Sequence, residues 1–304
     1  MKRNLLLAGL AALALAGCAM HQHDDPVPHA LHHGPGPLRP VSETTLTGFA
    51  FPESVGCDAR EGVLYVSNFG GTEPRGADKD GKGYIMKLAL DGRVLEQRAF
   101  DVTMNKPKGI WMAHTRLWVT DIDGVWIFDT VSKKSRKLAI PGITFANDPA
   151  VMGGALYVSD NRADALWRVE PADFLDAGVQ PKITQVWSKK EINPNGLWPS
   201  RDGSLLIVGL MADKQRGIYA MDRDGNVKTV VQPFGRLDGL YQLHDGTILF
   251  TDWATGSLNH WSLAGGVVQL AKDFKGPADF CMMRDTIYVP DLQKSEIRVV
   301  KVAR

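Results

Sequence analysis

Four side chains with oxygen donors, far apart in the chain, could together bind a hard divalent cation. They are Glu53, Asn147, Asn195 and Asp238. Two carboxylates match the charge of a divalent ion, and two amides add neutral oxygens, which is donor chemistry that Ca²⁺ prefers and that Mg²⁺, Mn²⁺ or Zn²⁺ can also use. Such a site needs elements that bring all four residues to one place.

Each of these residues opens one copy of a dipeptide that recurs along the chain. The copies are Glu53-Ser54, Lys108-Gly109, Asn147-Asp148, Asn195-Gly196, Asp238-Gly239 and Ala278-Asp279. A β-rich run ends 13 to 15 residues after the start of each copy, at Asn68, Asp121, Asp160, Gly209, Asp252 or Asp291. Third and fourth strands follow, so the repeat predicts an all-β, six-bladed β-propeller with four-stranded blades.

The last repeat ends before a fourth strand because the chain stops at Arg304. We expect residues 44–49 to supply that outer strand and close the ring, which removes an open sheet edge. In this architecture the starts of the innermost strands meet at one mouth of the central channel. The four oxygen donors would converge there, and the loop over residues 70–83 would be a lid on the same face.

Other polar residues on this face have two possible roles. Lys108 cannot bind a metal while protonated, so it would either stabilise an oxyanion or pair with Asp148 or Glu53. We expect the wall of a substrate pocket from Asp148, Asp160, Arg162, Asp252 and Trp253. The alternative for the repeated Asp and Asn residues is structural, because these side chains often bind the backbone of turns.

The segments around the oxygen donors resemble the senescence-marker-protein, gluconolactonase and luciferin-regenerating-enzyme family. In the family's order they are Phe51-Pro52-Glu53-Ser54, Phe145-Ala146-Asn147-Asp148, Pro194-Asn195-Gly196-Leu197 and Leu237-Asp238-Gly239-Leu240. The resemblance covers residues 44–302. It implies a six-bladed propeller that hydrolyses sugar lactones or organophosphates with one Ca²⁺, Mg²⁺, Mn²⁺ or Zn²⁺, and it gives Asp238 the catalytic roles of metal ligand and proton acceptor.

Two positions depart from the family pattern. Ser54-Val55 stands where family lactonases have Gly-Pro, and Phe145 replaces an Arg that contacts the sugar. The metal ligands are kept and the sugar contact is not. We therefore expect either a metal-dependent hydrolase of a lactone or similar ester, or a non-catalytic envelope lipoprotein that binds a ligand or partner and keeps a structural metal.

The N-terminus predicts export and a lipid anchor. Lys2 and Arg3 precede an apolar stretch too short to span a bilayer, and Leu15-Ala16-Gly17-Cys18 resembles a bacterial lipobox. Residues 1–17 would then be a signal peptide and Cys18 the lipidated residue, with Ala19 favouring the outer membrane, facing the periplasm. Acylation at Cys18 would give stable anchoring to the membrane.

The predicted domain plan follows from this leader. Residues 18–40, rich in Pro and His, would be a tether, and residues 41–304 the propeller. The tract's His residues could hold a transition metal, although a solvated spacer explains them as well.

Composition excludes several classes of protein. The 35 basic and 34 acidic residues leave a formal net charge of +1 without a basic block, which argues against nucleic-acid binding and leaves a small molecule as the expected ligand. Three cysteines are too few for a four-Cys zinc site or a disulfide-dense scaffold. Cys57 and Cys281 lie in adjacent blades of a closed ring. The two thiols could therefore lie close together. Because the inner strands of neighbouring blades are not expected to hydrogen-bond, we favour free thiols over a disulfide and leave the pairing open. The oligomeric state is left open.

Overall fold

The computed structural model describes residues 37–304, so the predicted signal peptide, Cys18 and the His-rich tract lie outside the described part. Residues 37–304 form six antiparallel sheets of four strands each, and their helical structure is limited to a 3-10 turn at Leu292–Lys294. The predicted all-β, six-bladed propeller is confirmed. No helix in this part is long and apolar enough to span a membrane.

The strands run in chain order from the channel outwards in blades one to five. Strand β1 is Arg39–Leu46. Blade one contains β2 (Pro52–Asp58), β3 (Val63–Asn68), β4 (Tyr84–Ala89) and β5 (Val94–Glu96). Blade two contains β6 (Pro107–Ala113), β7 (Arg116–Asp121), β8 (Gly124–Asp129) and β9 (Ser135–Ala139). Blade three contains β10 (Ala146–Met152), β11 (Ala155–Asp160), β12 (Ala165–Glu170) and β13 (Lys182–Ser188).

The remaining blades repeat the pattern. Blade four contains β14 (Pro194–Pro199), β15 (Leu205–Gly209), β16 (Arg216–Met221) and β17 (Val227–Gly235). Blade five contains β18 (Leu237–Gln242), β19 (Ile248–Asp252), β20 (Ser257–Ser262) and β21 (Gly266–Ala271). Blade six contains β22 (Cys281–Met283), β23 (Thr286–Asp291) and β24 (Glu296–Ala303), with β1 as its outer strand.

The ring is closed by the N-terminal strand, as the sequence predicted. Strand β1 pairs antiparallel with β24, from Arg39 opposite Ala303 to Leu46 opposite Ile297. It begins at Arg39 rather than at residue 44, because the long β24 offers partners along its whole length. Pro40 is accommodated at a register shift, as expected for proline in an edge strand. Leu38, only 1% exposed, extends the core past the boundary expected at residue 41.

Cores lie between neighbouring blades, so both faces of each middle strand are buried. In β3, Val63 and Tyr65 pack towards blade two, whereas Leu64 and Val66 pack towards blade six. Side chains alternate between the two faces of a strand, which explains this division. The continuous apolar runs that marked the repeats therefore reflect burial on both faces.

The structure decides the open question at Cys57 and Cys281 in favour of the less favoured alternative. The two residues form a disulfide between β2 and β22, with their Cα atoms 5.8 Å apart. The inner strands of blades one and six do hydrogen-bond at one point, where the Asp279 amide donates to the Glu53 carbonyl at 3.1 Å. That parallel bridge, between Ser54 and Asp279, brings the strands close enough for the disulfide.

Candidate functional site

The innermost strands of five blades carry a β-bulge at the position of the repeated dipeptide. In β10 the pairing passes from Ala146 opposite Asp160 directly to Pro149 opposite Val158, which leaves Asn147 and Asp148 outside the ladder. The same shift occurs in β6, β14 and β18, whereas in β2 only Glu53 lies outside the ladder, because Ser54 pairs with Ser67. Bulges re-aim side chains at the ends of strands. The repeated dipeptides are thus the bulges at the channel mouth.

In at least three blades a hydroxyl of the second strand fixes the bulge. In blade one, the Ser67 hydroxyl oxygen accepts a hydrogen bond from the Ser54 amide at 2.9 Å. In blades three and five, the hydroxyls of Ser159 and Thr251 accept in the same way from the amides of Asp148 and Gly239, both at 2.8 Å. Sequence reasoning missed these residues. Their signal was a Ser or Thr immediately before the Asn or Asp that ends the β-rich run.

A glycine in the dipeptide allows inner strands to approach closely. A Cβ atom at Gly109 would collide with the backbone and carboxyl group of Asp148 in the next blade. Gly109 therefore places the bulges of blades two and three in direct contact, and any larger residue there would push the channel walls apart.

Three of the predicted ligands at this mouth each have a buried oxygen that accepts no hydrogen bond within residues 37–304. These oxygens are Glu53 Oε2, Asn147 Oδ1 and Asp238 Oδ1, on side chains that are 6%, 4% and 4% exposed. Buried acceptors without partners are costly, and a hard cation satisfies them. The donor set therefore fits a divalent ion. The described part contains no metal-ready group of three or more His, Cys, Asp or Glu side chains, so amide oxygens are needed to complete the set.

Asn195 lies directly beside Asn147. The Asn147 Nδ2 donates a hydrogen bond to the Asn195 Oδ1 at 2.5 Å, and Asn195 is 1% exposed. A carboxamide oxygen has two lone pairs, so Asn195 Oδ1 keeps one acceptor site. The structure therefore brings the two predicted amide ligands into contact. Asn147 Oδ1 accepts no hydrogen bond within residues 37–304, whereas Asn195 Oδ1 accepts one, from Asn147.

Trp253, predicted as part of a substrate wall, contacts the candidate ligand Asp238. Its Nε1 donates to Asp238 Oδ2 at 2.6 Å. This bond fixes the carboxyl group and leaves Oδ1 as its free atom. Trp253 therefore orients Asp238.

Four carboxyl groups share the channel end. Glu53, Asp148 and Asp238 are buried, and Asp279 is half-buried. Burial raises the pKa of all four, to about 8 for Asp238 and about 7 for Asp279. The nearby Asp238 further raises the pKa of Glu53, and Asp279 does the same for Asp148. Like charges held together away from water favour neutralisation by protons or by a cation.

Asp279 was not among the predicted site residues, because Ala278 represented the sixth dipeptide. Its Oδ2 accepts a hydrogen bond from Ser54 Oγ at 2.6 Å. The signal was an acidic second residue, which the dipeptides of blades three and six share.

Lys108 is buried near these acids but forms no direct ion pair among residues 37–304. Its Nζ donates to the Lys106 carbonyl at 3.2 Å and lies 4.2 Å from the Phe145 ring centroid. Burial lowers the pKa of Lys108 to about 8, and the charge of Glu53 opposes that shift. The alternative in which Lys108 pairs directly with Asp148 or Glu53 is therefore not formed.

Phe145 contacts a second cation at the mouth. The Arg162 guanidinium lies 3.8 Å from the ring centroid of Phe145, and the Arg162 side chain is exposed. Of the residues predicted for the substrate wall, Arg162 is the one with an exposed charged group. A guanidinium is thus present near the position where the family pattern has its sugar-contacting Arg.

The predicted lid loop reaches this surface. A Cβ atom at Gly76 would lie 3.4 Å from the Phe145 ring. Ion pairs tie the loop to blade two, with Lys79 Nζ 2.7 Å from Asp123 Oδ2 and Lys106 Nζ 2.9 Å from Asp80 Oδ2. The loop therefore packs over the side of the mouth where Phe145 lies.

The Asp residues that end the second strands bind the backbone. Asp160 accepts hydrogen bonds from the amides of Thr144 at 2.6 Å and Ala163 at 3.1 Å. Asp252 accepts from the amide of Arg236 at 2.9 Å and from Thr255 Oγ1 at 2.8 Å. These contacts match the structural alternative. Both oxygens of each side chain accept hydrogen bonds from the protein, and the substrate-wall role of Asp160 and Asp252 stays a prediction.

Comparisons with known proteins agree on the fold. No protein-family model and no curated protein sequence matches this chain. Among solved structures, the calcium-binding protein regucalcin from Agrobacterium tumefaciens is 15% identical with a TM-score of 0.62, covering 85% of this chain and 94% of its own. A protein provisionally assigned as a gluconolactonase is 14% identical to this chain, with a TM-score of 0.61. The match covers 89% of this chain and 93% of that protein.

Virginiamycin B lyase from Staphylococcus aureus is similar to the same extent. It is 14% identical, has a TM-score of 0.61, and the match covers 88% of this chain and 99% of the lyase. At such identities the likeness concerns the fold, on which different chemistries occur.

Proposed function

We propose that this protein is a divalent-metal-dependent hydrolase of a lactone or similar ester, with the metal held at the channel mouth. The single observation that carries the proposal is the trio of buried, unpartnered oxygens on Glu53, Asn147 and Asp238. The structural likeness to regucalcin and to a gluconolactonase-like protein supports the choice of reaction.

Glu53, Asn147, Asn195 and Asp238 would hold the ion, and Ca²⁺ suits their all-oxygen chemistry best. When bound, a divalent ion would polarise the carbonyl of the ester. Asp238, whose Oδ2 accepts from Trp253 Nε1, would act both as a metal ligand and as the acceptor of a proton from the attacking water. Lys108 carries a buried ammonium group without a carboxylate partner, which suits it to stabilise an oxyanion. Exposed Arg162 would contact polar groups of the substrate.

A panel of chemically diverse lactones and esters tests the proposal, using purified protein with added CaCl₂ or MnCl₂ and with EDTA. We expect turnover that EDTA abolishes and that metal restores. Asp238→Asn should lose turnover, whereas Asp213→Asn, at an exposed surface position, should keep it. No turnover of any compound by metal-replete protein would overturn the hydrolase proposal.

The second candidate is a non-catalytic lipoprotein that binds a ligand and keeps the ion for structure. Phe145, in place of a sugar-contacting Arg, favours it. Ligand binding without turnover in the same panel would identify this function.

We also propose that the protein is anchored in the cell envelope, at the outer membrane facing the periplasm, through lipid on Cys18. The lipobox supports this, and so does the Cys57–Cys281 disulfide, because disulfides persist in oxidising compartments. Mass spectrometry of the mature N-terminus should find acyl groups on Cys18. A mature chain without lipid there would overturn the anchor.

A further inference from the structure

A second cavity lies in the channel on the side opposite the candidate metal site. Its volume is about 520 Å³. It opens beside Arg60 and His114, where β2 and β6 end, and its inner end reaches Asp148 and Asp279. The two acids therefore separate this cavity from the metal-binding mouth.

The wall of the cavity is largely aromatic and aliphatic. Trp198 lies between Trp111 and Tyr241, with ring centroids 5.3 and 4.3 Å away. Met112 and Met282 also line the space, and methionine side chains adapt to ligands of different shape. A cavity of this volume and lining is of the kind that encloses small organic ligands.

The inner end is polar and incompletely paired. Asp148 is 3% exposed, and neither of its carboxyl oxygens accepts a hydrogen bond within residues 37–304. Asp279 uses Oδ2 to accept from Ser54. At the opening, Arg60 is paired with Asp58 at 3.4 Å, so the rim offers no unpaired guanidinium to attract an anion.

The unpaired oxygens of Asp148 decide which ligand fits this end. Lys108, the nearby buried cation, donates to the Lys106 carbonyl and forms no ion pair with Asp148 among residues 37–304. A ligand that carries only acceptors, or an apolar ligand without donors, would leave the Asp148 oxygens unsatisfied. A group with several N–H donors can satisfy both of them.

We propose that this cavity is a binding site for an apolar primary amine. Its ammonium group would contact Asp148 and Asp279, and its aromatic or aliphatic body would lie against Trp198 and Tyr241. The site is distinct from the metal centre and is reached from the opposite face of the propeller.

Isothermal titration calorimetry tests the proposal with 2-(1-naphthyl)ethylamine and its isosteric alcohol 2-(1-naphthyl)ethanol, each with and without saturating CaCl₂. We expect the amine to bind at least tenfold more tightly than the alcohol, and to keep binding when CaCl₂ is present. Asp148→Asn and Asp279→Asn should each weaken amine binding at least tenfold and leave alcohol binding unchanged. Asp285→Asn, at a half-buried position of blade six that does not line the cavity, should alter neither.

Blocking the opening of the cavity with a large side chain gives an independent test of where the amine binds. Ala113 lines the cavity at the end of β6, so Ala113→Trp should abolish amine binding while Ca²⁺ binding persists. Ala177→Trp, in an exposed loop of blade three, is the matched control.

Equal affinity for amine and alcohol, or no binding of either, would overturn the proposal. So would competition between the amine and Ca²⁺ for one site, or amine affinity unchanged in the two Asp variants. The amine is also titrated without CaCl₂, so its binding can be interpreted even if the metal-site proposal fails.

Discussion

Asp238 illustrates how this fold fixes the orientation of a single candidate metal ligand. A bulge at the start of β18 turns it towards the channel, and Trp253 occupies one of its oxygens at 2.6 Å. Burial then leaves the second oxygen without a hydrogen-bond donor within residues 37–304. Glu53 and Asn147 present the same combination of burial and a free oxygen, which is why the metal proposal rests on these three atoms.

At the residue scale, removing one charge should weaken metal binding without unfolding the ring. We expect Asp238→Asn and Glu53→Gln each to lower divalent-ion affinity at least about tenfold, because each keeps the shape and an oxygen while losing a charge. Lys108→Met should not lower the affinity, since a protonated Lys is no ligand. Calorimetric titration with Ca²⁺ measures all three, with Asp213→Asn as control. Unchanged affinity in both acidic variants would contradict the site.

The sequence predicted the candidate ligands better than their surroundings. Glu53, Asn147, Asn195 and Asp238 could be found because each opens a dipeptide at a fixed distance from a strand end. The contact between Trp253 and Asp238 could not, because it depends on the direction of one side chain at the start of β18 and another just after the end of β19.

Two links between elements close the ring of blades. Strand β1 joins the two ends of the chain in blade six, and the Cys57–Cys281 disulfide joins blade six to blade one on the inner side. The repeat spacing predicted the first closure. The second depends on the local bridge between Ser54 and Asp279, which spacing alone does not reveal.

Loss of the disulfide should destabilise the ring. Cys57→Ser combined with Cys281→Ser removes a cross-link between positions 224 residues apart, which limits the unfolded chain. We expect the free energy of unfolding to fall by about 2–5 kcal/mol, measured by urea denaturation. Reductant should destabilise the wild type and leave the double variant unaffected. A double variant as stable as the wild type would show that the disulfide contributes nothing to closure.

The closing strand should matter through its buried residue. Leu38 is 1% exposed and packs with Leu249 and Phe274, whereas Val41 in the same segment is 61% exposed. Leu38→Ala should cost about 2–5 kcal/mol of unfolding free energy through the lost burial and the cavity left behind. Val41→Ala, the matched control, should stay within about 0.5 kcal/mol of the wild type. Equal effects in thermal or urea unfolding would contradict the role assigned to this segment.

At the scale of the molecule, the propeller concentrates acidic groups on its axis while the cores between blades stay apolar. Glu53, Asp148, Asp238 and Asp279 come from four blades and meet only in the closed ring. The fold was predictable because six repeats each describe one blade. The common environment of the four acids was not, because it arises from the depth of the channel and not from any local segment.

This arrangement should make the stability of the metal-free protein fall as pH rises. The pKa values of the four carboxyl groups are raised in the folded state, to about 8 for Asp238 and about 7 for Asp279, against about 4 in an unfolded chain. Between those values the native state holds more protons than the unfolded state, so the free energy of unfolding decreases with pH. Melting temperatures in EDTA should therefore drop from about pH 5 to about pH 8.

Saturating Ca²⁺ should reduce that drop, because the ion binds the folded ring and neutralises Glu53 and Asp238. Asp279→Asn, which removes one group with a raised pKa, should also reduce it in EDTA. A melting temperature that rises across this range in EDTA would contradict the electrostatic account of the channel.

The position of the metal itself is the most direct test of the central claim. Crystals grown with MnCl₂ and measured at the manganese absorption edge locate the ion by its anomalous density. We predict one strong peak at the mouth, within coordination distance of oxygens of Glu53, Asn147, Asn195 and Asp238. A peak held by other residues, or no peak near these four side chains at saturating Mn²⁺, would contradict the metal site and the hydrolase mechanism built on it.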